Sequence, residues 1–406
     1  MHEPDITATI PASGAWRAGD DPGYRQFADL GTLLLESGES LPVTLAYETW
    51  GELNAARDNA VLVLHALTGD SHVTSHGGSD PGQGWWSGIV GPGKVIDTDR
   101  YFVIAPNILG GCQGSTGPAS IASDGDPYGA CFPHVTARDQ VLAESLLADQ
   151  LDIAEFCLVV GASMGGHRAL EWAISRPHRV RRLAVIASGA RTTADQIALG
   201  HTQLLAIEGD PNFVGGNYYD RSPGTGPWYG LGLARRIAHL SYRTAGELDA
   251  RFGRLPQGRE EPLDGGRFAV QSYLDHHGAK LARRFDANSY ITLTRAMLTH
   301  DVGRDRGGVR YALGKIQART LVVAIDSDRL FPVAESALIT DAVRNTFPLA
   351  LIASQCGHDG FLVENDAVAH HLARLLDSVP ARREQRQSLP DWRHIPGLSH
   401  CPKFRA

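Results

Sequence analysis

The sequence predicts an α/β fold, a mostly parallel sheet covered by helices, with a helical block inserted between two of its strands. Three observations carry this. Short, near-continuous apolar runs recur along the chain, as expected of strands buried on both faces. Helical patterns follow several of those runs. The rhythm breaks between about residues 190 and 314, where helical segments stand without a strong buried strand, and resumes at Thr320.

Taken in order, residues 1–20 are rich in Pro, Gly and Asp and read as a loose arm. Strands are expected at 41–47, 60–64, 101–105, 157–160, 183–187, 320–325 and 349–352. Helices are expected at 333–343 and 363–376, and right-handed crossovers link such alternating elements. Within the interrupted stretch the helical segments are 193–207, 230–240 and 268–285. Their position reads as a lid over the carboxyl edge of the sheet, where open α/β folds bind ligands. Residues 214–227, rich in Gly, Pro and Asn, read as a mobile loop. The chain therefore divides into an arm (1–20), a first core part (21–189), a lid (190–314), a second core part (315–380) and a charged tail (381–406).

Composition narrows the function classes. The chain has 406 residues, 43% hydrophobic and 20% charged, as soluble globular proteins do. A net charge of −7 argues against a nucleic-acid partner. No apolar run approaches the ~20 residues that span a bilayer. The acidic start Met1-His2-Glu3-Pro4-Asp5 lacks the basic and apolar regions of a signal peptide. Five scattered cysteines (Cys112, Cys131, Cys157, Cys356, Cys401) point to a reduced, cytoplasmic protein without a disulfide framework.

Gly161-Ala162-Ser163-Met164-Gly165-Gly166 follows an apolar run and opens a helical one. It has the G-x-S-x-G form of a nucleophile elbow, a serine on a sharp strand-to-helix turn. The glycines suit a turn with no room for Cβ atoms. A serine hydroxyl needs a base. His358, on a Gly-flanked loop after the last strand, occupies the place such a base takes. The acid belongs after the preceding strand, where Asp326 and Asp328 both stand; loop position slightly favours Asp328 without deciding the matter. The unused one would be a turn or cap residue. An oxyanion hole would draw one amide from Met164 and a second from Leu67, in the loop after the strand at 60–64.

With these in place, the chain resembles the homoserine O-acetyltransferase family of α/β-hydrolase-fold enzymes. The resemblance rests on His65-Ala66-Leu67-Thr68-Gly69-Asp70, Gly84-Trp85-Trp86, the Asn107 to Pro118 stretch, the elbow, Ser327-Asp328-Arg329-Leu330-Phe331-Pro332 and Gly357-His358-Asp359-Gly360-Phe361-Leu362. Shorter matches lie in the inserted block: Ala194-Asp195-Gln196-Ile197, Leu233 to Arg243, and Gln271-Ser272-Tyr273-Leu274. It implies Ser163, Asp328 and His358 as the triad, and Arg235, Tyr242 and Asp359 as contacts to the amino-acid substrate. A guanidinium fork suits a carboxylate, and a carboxylate suits an ammonium. The implied reaction moves the acetyl group of acetyl-CoA, a co-substrate rather than a resident cofactor, to the hydroxyl of L-homoserine through an acyl-serine. The product, O-acetyl-L-homoserine, would feed methionine biosynthesis. The family also suggests a homodimer. Ala162, where the family often has Gly, and His167 depart from its pattern; both bear on the acyl donor.

Rival readings keep the fold and change the chemistry. Serine for homoserine, or succinyl-CoA for acetyl-CoA, would use the same machinery; one methylene in the acceptor is worth only ~1–3 kcal/mol. A lidded serine esterase would release free acid with no acceptor. His65, His72 and His76 raise a metal-binding reading, which is set aside because no glutamate stands between the last two and the segment reads as loop. No metal is therefore expected. Cys112 has no assignable base and reads as a small buried thiol.

Overall fold

A computed structural model describes residues 10–78, 80 and 82–378. The expected tail at 381–406 and the first nine residues of the expected arm lie outside the described residues. Strands β1 (Gln26–Leu34), β2 (Ser40–Trp50) and β3 (Ala60–Leu64) come first. The short strands β4 (Val90–Gly91) and β5 (Ile96–Asp97) pair only with each other. Then follow β6 (Phe102–Pro106), α1 (Ala137–Gln150), β7 (Leu158–Ala162), α2 (Met164–Ser175) and β8 (Arg182–Ile186). Helices α3 (Ala194–Glu208), α4 (Trp228–Tyr242), α5 (Ala245–Phe252), α6 (Ala269–Arg284), α7 (Ala287–Leu298) and α8 (Val309–Leu313) separate β8 from β9 (Arg319–Ile325). The described chain closes with α9 (Val333–Ala342), β10 (Ala350–Ile352), α10 (Gly360–Val363) and α11 (Asn365–Leu376).

The main sheet has the order β1-β2-β6-β3-β7-β8-β9-β10. Its β1–β2 and β2–β6 pairs are antiparallel and all others are parallel. The apolar runs divide by alternation. Leu62, Val159, Val185 and Val322 pack on one face with α1 and α2, whereas Val61, Val160, Ala184 and Val323 pack on the other with α11. Burial on both faces is what made these strands visible as runs. Register positions the elbow: Leu64 pairs with Gly161 and Ala162 with Ile186, so β3 and β7 end side by side.

Two expected loose segments are ordered. Residues 10–20 are docked: Ile10 is buried, Ser13 Oγ donates to Asp286 at 2.7 Å, and the Trp16 N–H donates to the Cys112 carbonyl at 2.9 Å. In the 214–227 segment, the hydroxyls of Tyr218 and Tyr219 also donate to Asp286, at 2.8 and 3.1 Å. Asp286 caps α7 by accepting the Ser289 N–H at 2.8 Å, and it is fully buried. One carboxylate thus gathers both segments against the inserted helices. Pro and Gly content signals turns, not mobility, and the partner surface is invisible in local composition.

A second buried charge joins α1, α2 and the loop after β3. Arg168 pairs with Glu144, and Glu144 also accepts the Trp172 indole N–H at 2.7 Å. Arg168 Nη2 donates to the His65 carbonyl at 2.7 Å. Both charged side chains are buried, so removing one leaves the other unpaired. Arg168→Met should lower unfolding free energy by about 3–5 kcal/mol in urea titrations. The Arg168→Met/Glu144→Leu double variant should lose less than Arg168→Met alone.

Candidate active site

Ser163 sits between β7 and α2 with φ 54° and ψ −125°, a backbone conformation that L residues rarely adopt. The neighbouring glycines make it possible. A Cβ on Gly161 would stand 2.1 Å from the Gly165 carbonyl oxygen, and one on Gly165 would stand 2.0 Å from the Leu64 carbonyl oxygen. The chain passes so close to itself there that only hydrogen fits.

His358 lies directly across from the serine. Its Nε2 is 2.9 Å from Ser163 Oγ and its Nδ1 is 2.7 Å from Asp328 Oδ2. With Nδ1–H donating to the carboxylate, Nε2 is left to accept the serine proton. Asp328 Oδ1 is itself held by the N–H groups of Leu330 and Phe331, at 2.8 and 2.9 Å. The open choice between the two aspartates is resolved by geometry: Asp326 Oδ1 accepts the Ser354 N–H at 3.0 Å, a turn role. Burial alone would push the His358 pKa down, but the Asp328 charge and hydrogen bond outweigh it, and the net shift is upward.

The loop after β3 lies beside the elbow. Met164 is the first residue of α2, so its N–H has no intrahelical acceptor. Leu67 is buried and packs with Met164 in one cluster. The loop is pinned by Arg168 at the His65 carbonyl and by Arg284, whose Nη2 donates to the Thr68 carbonyl at 2.8 Å. His65 donates from Nδ1 to the Ala66 carbonyl at 2.8 Å and accepts the Ile108 N–H at Nε2, at 3.2 Å. Burial pushes its pKa to about 3, so it is a neutral strut with both nitrogens occupied.

Helix α4 brings two further expected residues. The Arg235 guanidinium lies 5.4 Å from the Tyr242 ring centroid, and its Nη1 donates to Thr68 Oγ1 at 3.3 Å. The Tyr242 ring is 5.7 Å from that of His358. Asp359 follows His358, and its Oδ2 is 3.0 Å from Arg243 Nε. Burial pushes the Asp359 pKa up, against the opposing charge of Arg243. Arg243, directly after α4, carries no local mark in the sequence of its pairing with a carboxylate far downstream.

A cavity beside the elbow is lined by Leu67, His167, Gln203, Tyr242, Leu330 and Phe331 among others. No lysine or arginine is among its described lining residues. His167 stacks on His300 with centroids 3.9 Å apart and planes at 10°. Burial lowers the pKa of His167 well below the usual value and that of His300 to about 4, so both rings are neutral. The wall mixes apolar and neutral polar side chains and carries no charge.

One arrangement runs against the expectation of no metal ligands. His72 and His76 converge on Glu48 of β2, at 3.0 and 2.9 Å, while His65 is elsewhere. The carboxylate comes from β2, distant in sequence from both histidines.

The elbow, the hydrogen-bonded serine, histidine and aspartate and the eight-stranded sheet define an α/β-hydrolase-fold protein. The family model described as alpha/beta hydrolase fold matches residues 59–365. A homoserine O-acetyltransferase of Thermobifida fusca (strain YX) is 57% identical over 375 residues, 92% of this chain and 99% of that one. The crystal structure of homoserine O-acetyltransferase from Bacillus anthracis superposes with a TM-score of 0.82 at 26% identity, covering 88% of this chain and 99% of that one. An acetylester hydrolase from Corynebacterium glutamicum gives 0.75 at 28% identity, over 88% and 97% of the two chains. The chain belongs to the homoserine O-acetyltransferase family.

Because the His358 pKa is raised above 6.5, its base form is lost as pH falls through a value above 6.5. The acid limb of kcat/KM should therefore lie above pH 6.5. Asp328→Asn should move that limb to lower pH and reduce kcat by on the order of 10⁴, read from steady-state pH profiles.

Proposed function

We propose that this acyltransferase moves the acetyl group of acetyl-CoA to the hydroxyl of L-homoserine through an acetyl-Ser163 intermediate, giving O-acetyl-L-homoserine for methionine biosynthesis. The observation that carries the reading is the continuous relay from Ser163 Oγ through His358 to Asp328, at 2.9 and 2.7 Å. His358 takes the serine proton as Oγ attacks the thioester carbonyl. The oxyanion is held by the N–H groups of Leu67 and Met164, each donor worth on the order of 10² to 10³ in rate. The tetrahedral species collapses, the thiolate leaves with the proton from His358, and acetyl stays on Ser163. Homoserine then enters, and His358 takes its hydroxyl proton as the oxygen attacks the acyl-serine; the second tetrahedral species collapses with loss of Ser163 Oγ, which recovers the proton from His358, and O-acetyl-L-homoserine is released.

Arg235 receives the homoserine carboxylate and Asp359 its ammonium, with Arg243 holding the side chain of Asp359 from its other side. The wall without lysine or arginine favours acetyl over succinyl, since a succinyl carboxylate would be desolvated there unpaired. Residues 190–314 serve as a lid that limits water and favours transfer over hydrolysis. The functional unit is a homodimer working in the cytoplasm. The four described cysteines, all free, suit a reducing compartment, and no helix among the described residues is long and apolar enough to cross a membrane.

The decisive experiment crosses acetyl- and succinyl-CoA with homoserine and serine and follows thiol release. Acetyl-CoA with homoserine should dominate, with parallel double-reciprocal lines and an acetyl adduct on Ser163 by mass spectrometry. Intersecting lines without an adduct, or acetate release that needs no acceptor, would overturn the proposal. Arg235→Ala should raise the KM for homoserine about 10–100-fold, as loss of a charged hydrogen bond of about 1.5–3 kcal/mol requires. The thiol burst from acetyl-CoA alone should persist in that variant.

A further inference from the structure

The buried carboxylate of Glu48 faces two imidazoles through a single oxygen. Oε2 lies 3.0 Å from His72 Nδ1 and 2.9 Å from His76 Nε2. Its other oxygen is occupied, since Ser71 Oγ donates to Oε1 at 2.7 Å. Ser71 is fixed in turn: its N–H donates to Asn107 Oδ1 at 2.8 Å and its Oγ accepts from Asn107 Nδ2 at 3.0 Å. Each ring is also held from outside. The His76 ring is sandwiched between Tyr24 and Trp50, with centroids 4.1 and 4.7 Å away. The far nitrogen of His72, Nε2, has the Asp80 carboxylate at 3.6 Å.

We propose that Glu48, His72 and His76 form a binding site for a divalent first-row transition-metal cation. Two imidazoles and one carboxylate are the donor set that suits such ions. With ligand bonds of about 2.1 Å, oxygen-to-nitrogen edges of about 3.0 Å correspond to angles near 90° at the ion. Both imidazole nitrogens therefore neighbour the carboxylate oxygen in the coordination sphere. The site opens on a cavity of about 480 Å³ that Glu48, Ser71 and His72 line, with room for water ligands. The ion displaces the two hydrogen-bonded protons from the rings and neutralises a buried carboxylate. Its position gives it a structural part. Glu48 belongs to β2, whereas His72 and His76 continue the loop that carries Leu67 and Thr68, so the ion clamps that loop to the sheet.

The test uses the full chain, stripped with chelator and titrated with Co²⁺ and then with Zn²⁺. One equivalent of Co²⁺ should give saturable visible absorption, Zn²⁺ should displace it, and Zn²⁺ should raise the melting temperature. Glu48→Gln keeps the bond to Ser71, and His76→Gln keeps a polar side chain of similar reach. Each should weaken binding by at least about 100-fold, the upper end of what loss of an outer-shell partner costs. Far-ultraviolet circular dichroism confirms that each variant is folded. Should either variant fail to fold, Ser71→Ala, which touches no donor nitrogen, should still weaken binding about 10–100-fold. The proposal falls if the parent chain shows no one-equivalent transition, or if folded Glu48→Gln and His76→Gln bind as it does, which would mark adventitious histidine binding.

Discussion

The strained backbone at Ser163 is the constraint on which the rest of the site depends. A residue held at φ 54° costs of order 1–3 kcal/mol and persists only when its surroundings over-determine it. Here the surroundings are the middle of a parallel sheet on one side and a wholly buried helix on the other. Strand β7 runs between β3 and β8, and α2 is buried along nearly its whole length. Neither can relax without disturbing both faces of the core. Gly161 and Gly165 remove the atoms that would otherwise forbid the turn.

The same close packing ties the loop that carries Leu67 to the nucleophile. Gly165 abuts the carbonyl of Leu64, the last residue of β3, so the loop carrying Leu67 begins where the elbow passes. Arg168, one turn into α2, then reaches back to the His65 carbonyl. Helix and loop are two ends of one buried hydrogen-bonded unit. Preorganised donors need such rigidity, because amides that must reorient during reaction give up much of their effect. The buried Arg168–Glu144 pair is better understood as fixing this geometry than as a source of net stability, since desolvation offsets most of its attraction.

How much of this was legible in the sequence follows from where each signal resides. Strands buried on both faces announce themselves as apolar runs, and β3, β7, β8 and β9 fall where the runs do. Strand β1 gave no such sign. It is an antiparallel edge strand, largely exposed, and its register shifts between Asp29 and Thr32, which breaks the two-residue period. Ser163 and His358 were legible because each stands on a loop of distinctive local composition. The choice between Asp326 and Asp328 was not, because it turns on which carboxylate faces a ring thirty residues on. Arg243, Asp286 and Glu48 were invisible for the same reason. Each acts through a partner distant in sequence, and a lone charged residue has no local pattern.

A serine relay of this kind serves hydrolysis and transfer alike, so what distinguishes them lies in the inserted helices. Helix α4 carries Arg235 and Tyr242, and Arg243 follows it directly. Its C-terminal end is not a separate cover. Gly357, at φ 64°, passes so near the Tyr242 carbonyl that a Cβ there would stand 2.5 Å from the oxygen. Arg243 reaches the carboxylate of Asp359, next to the catalytic base. The C-terminal end of α4 and the loop that presents the imidazole are therefore locked together by backbone contact and by charge. With Arg235 and Asp359 holding the acceptor as proposed, an amino-acid hydroxyl is preferred over water because only the correct acceptor completes the charge pairs around the base.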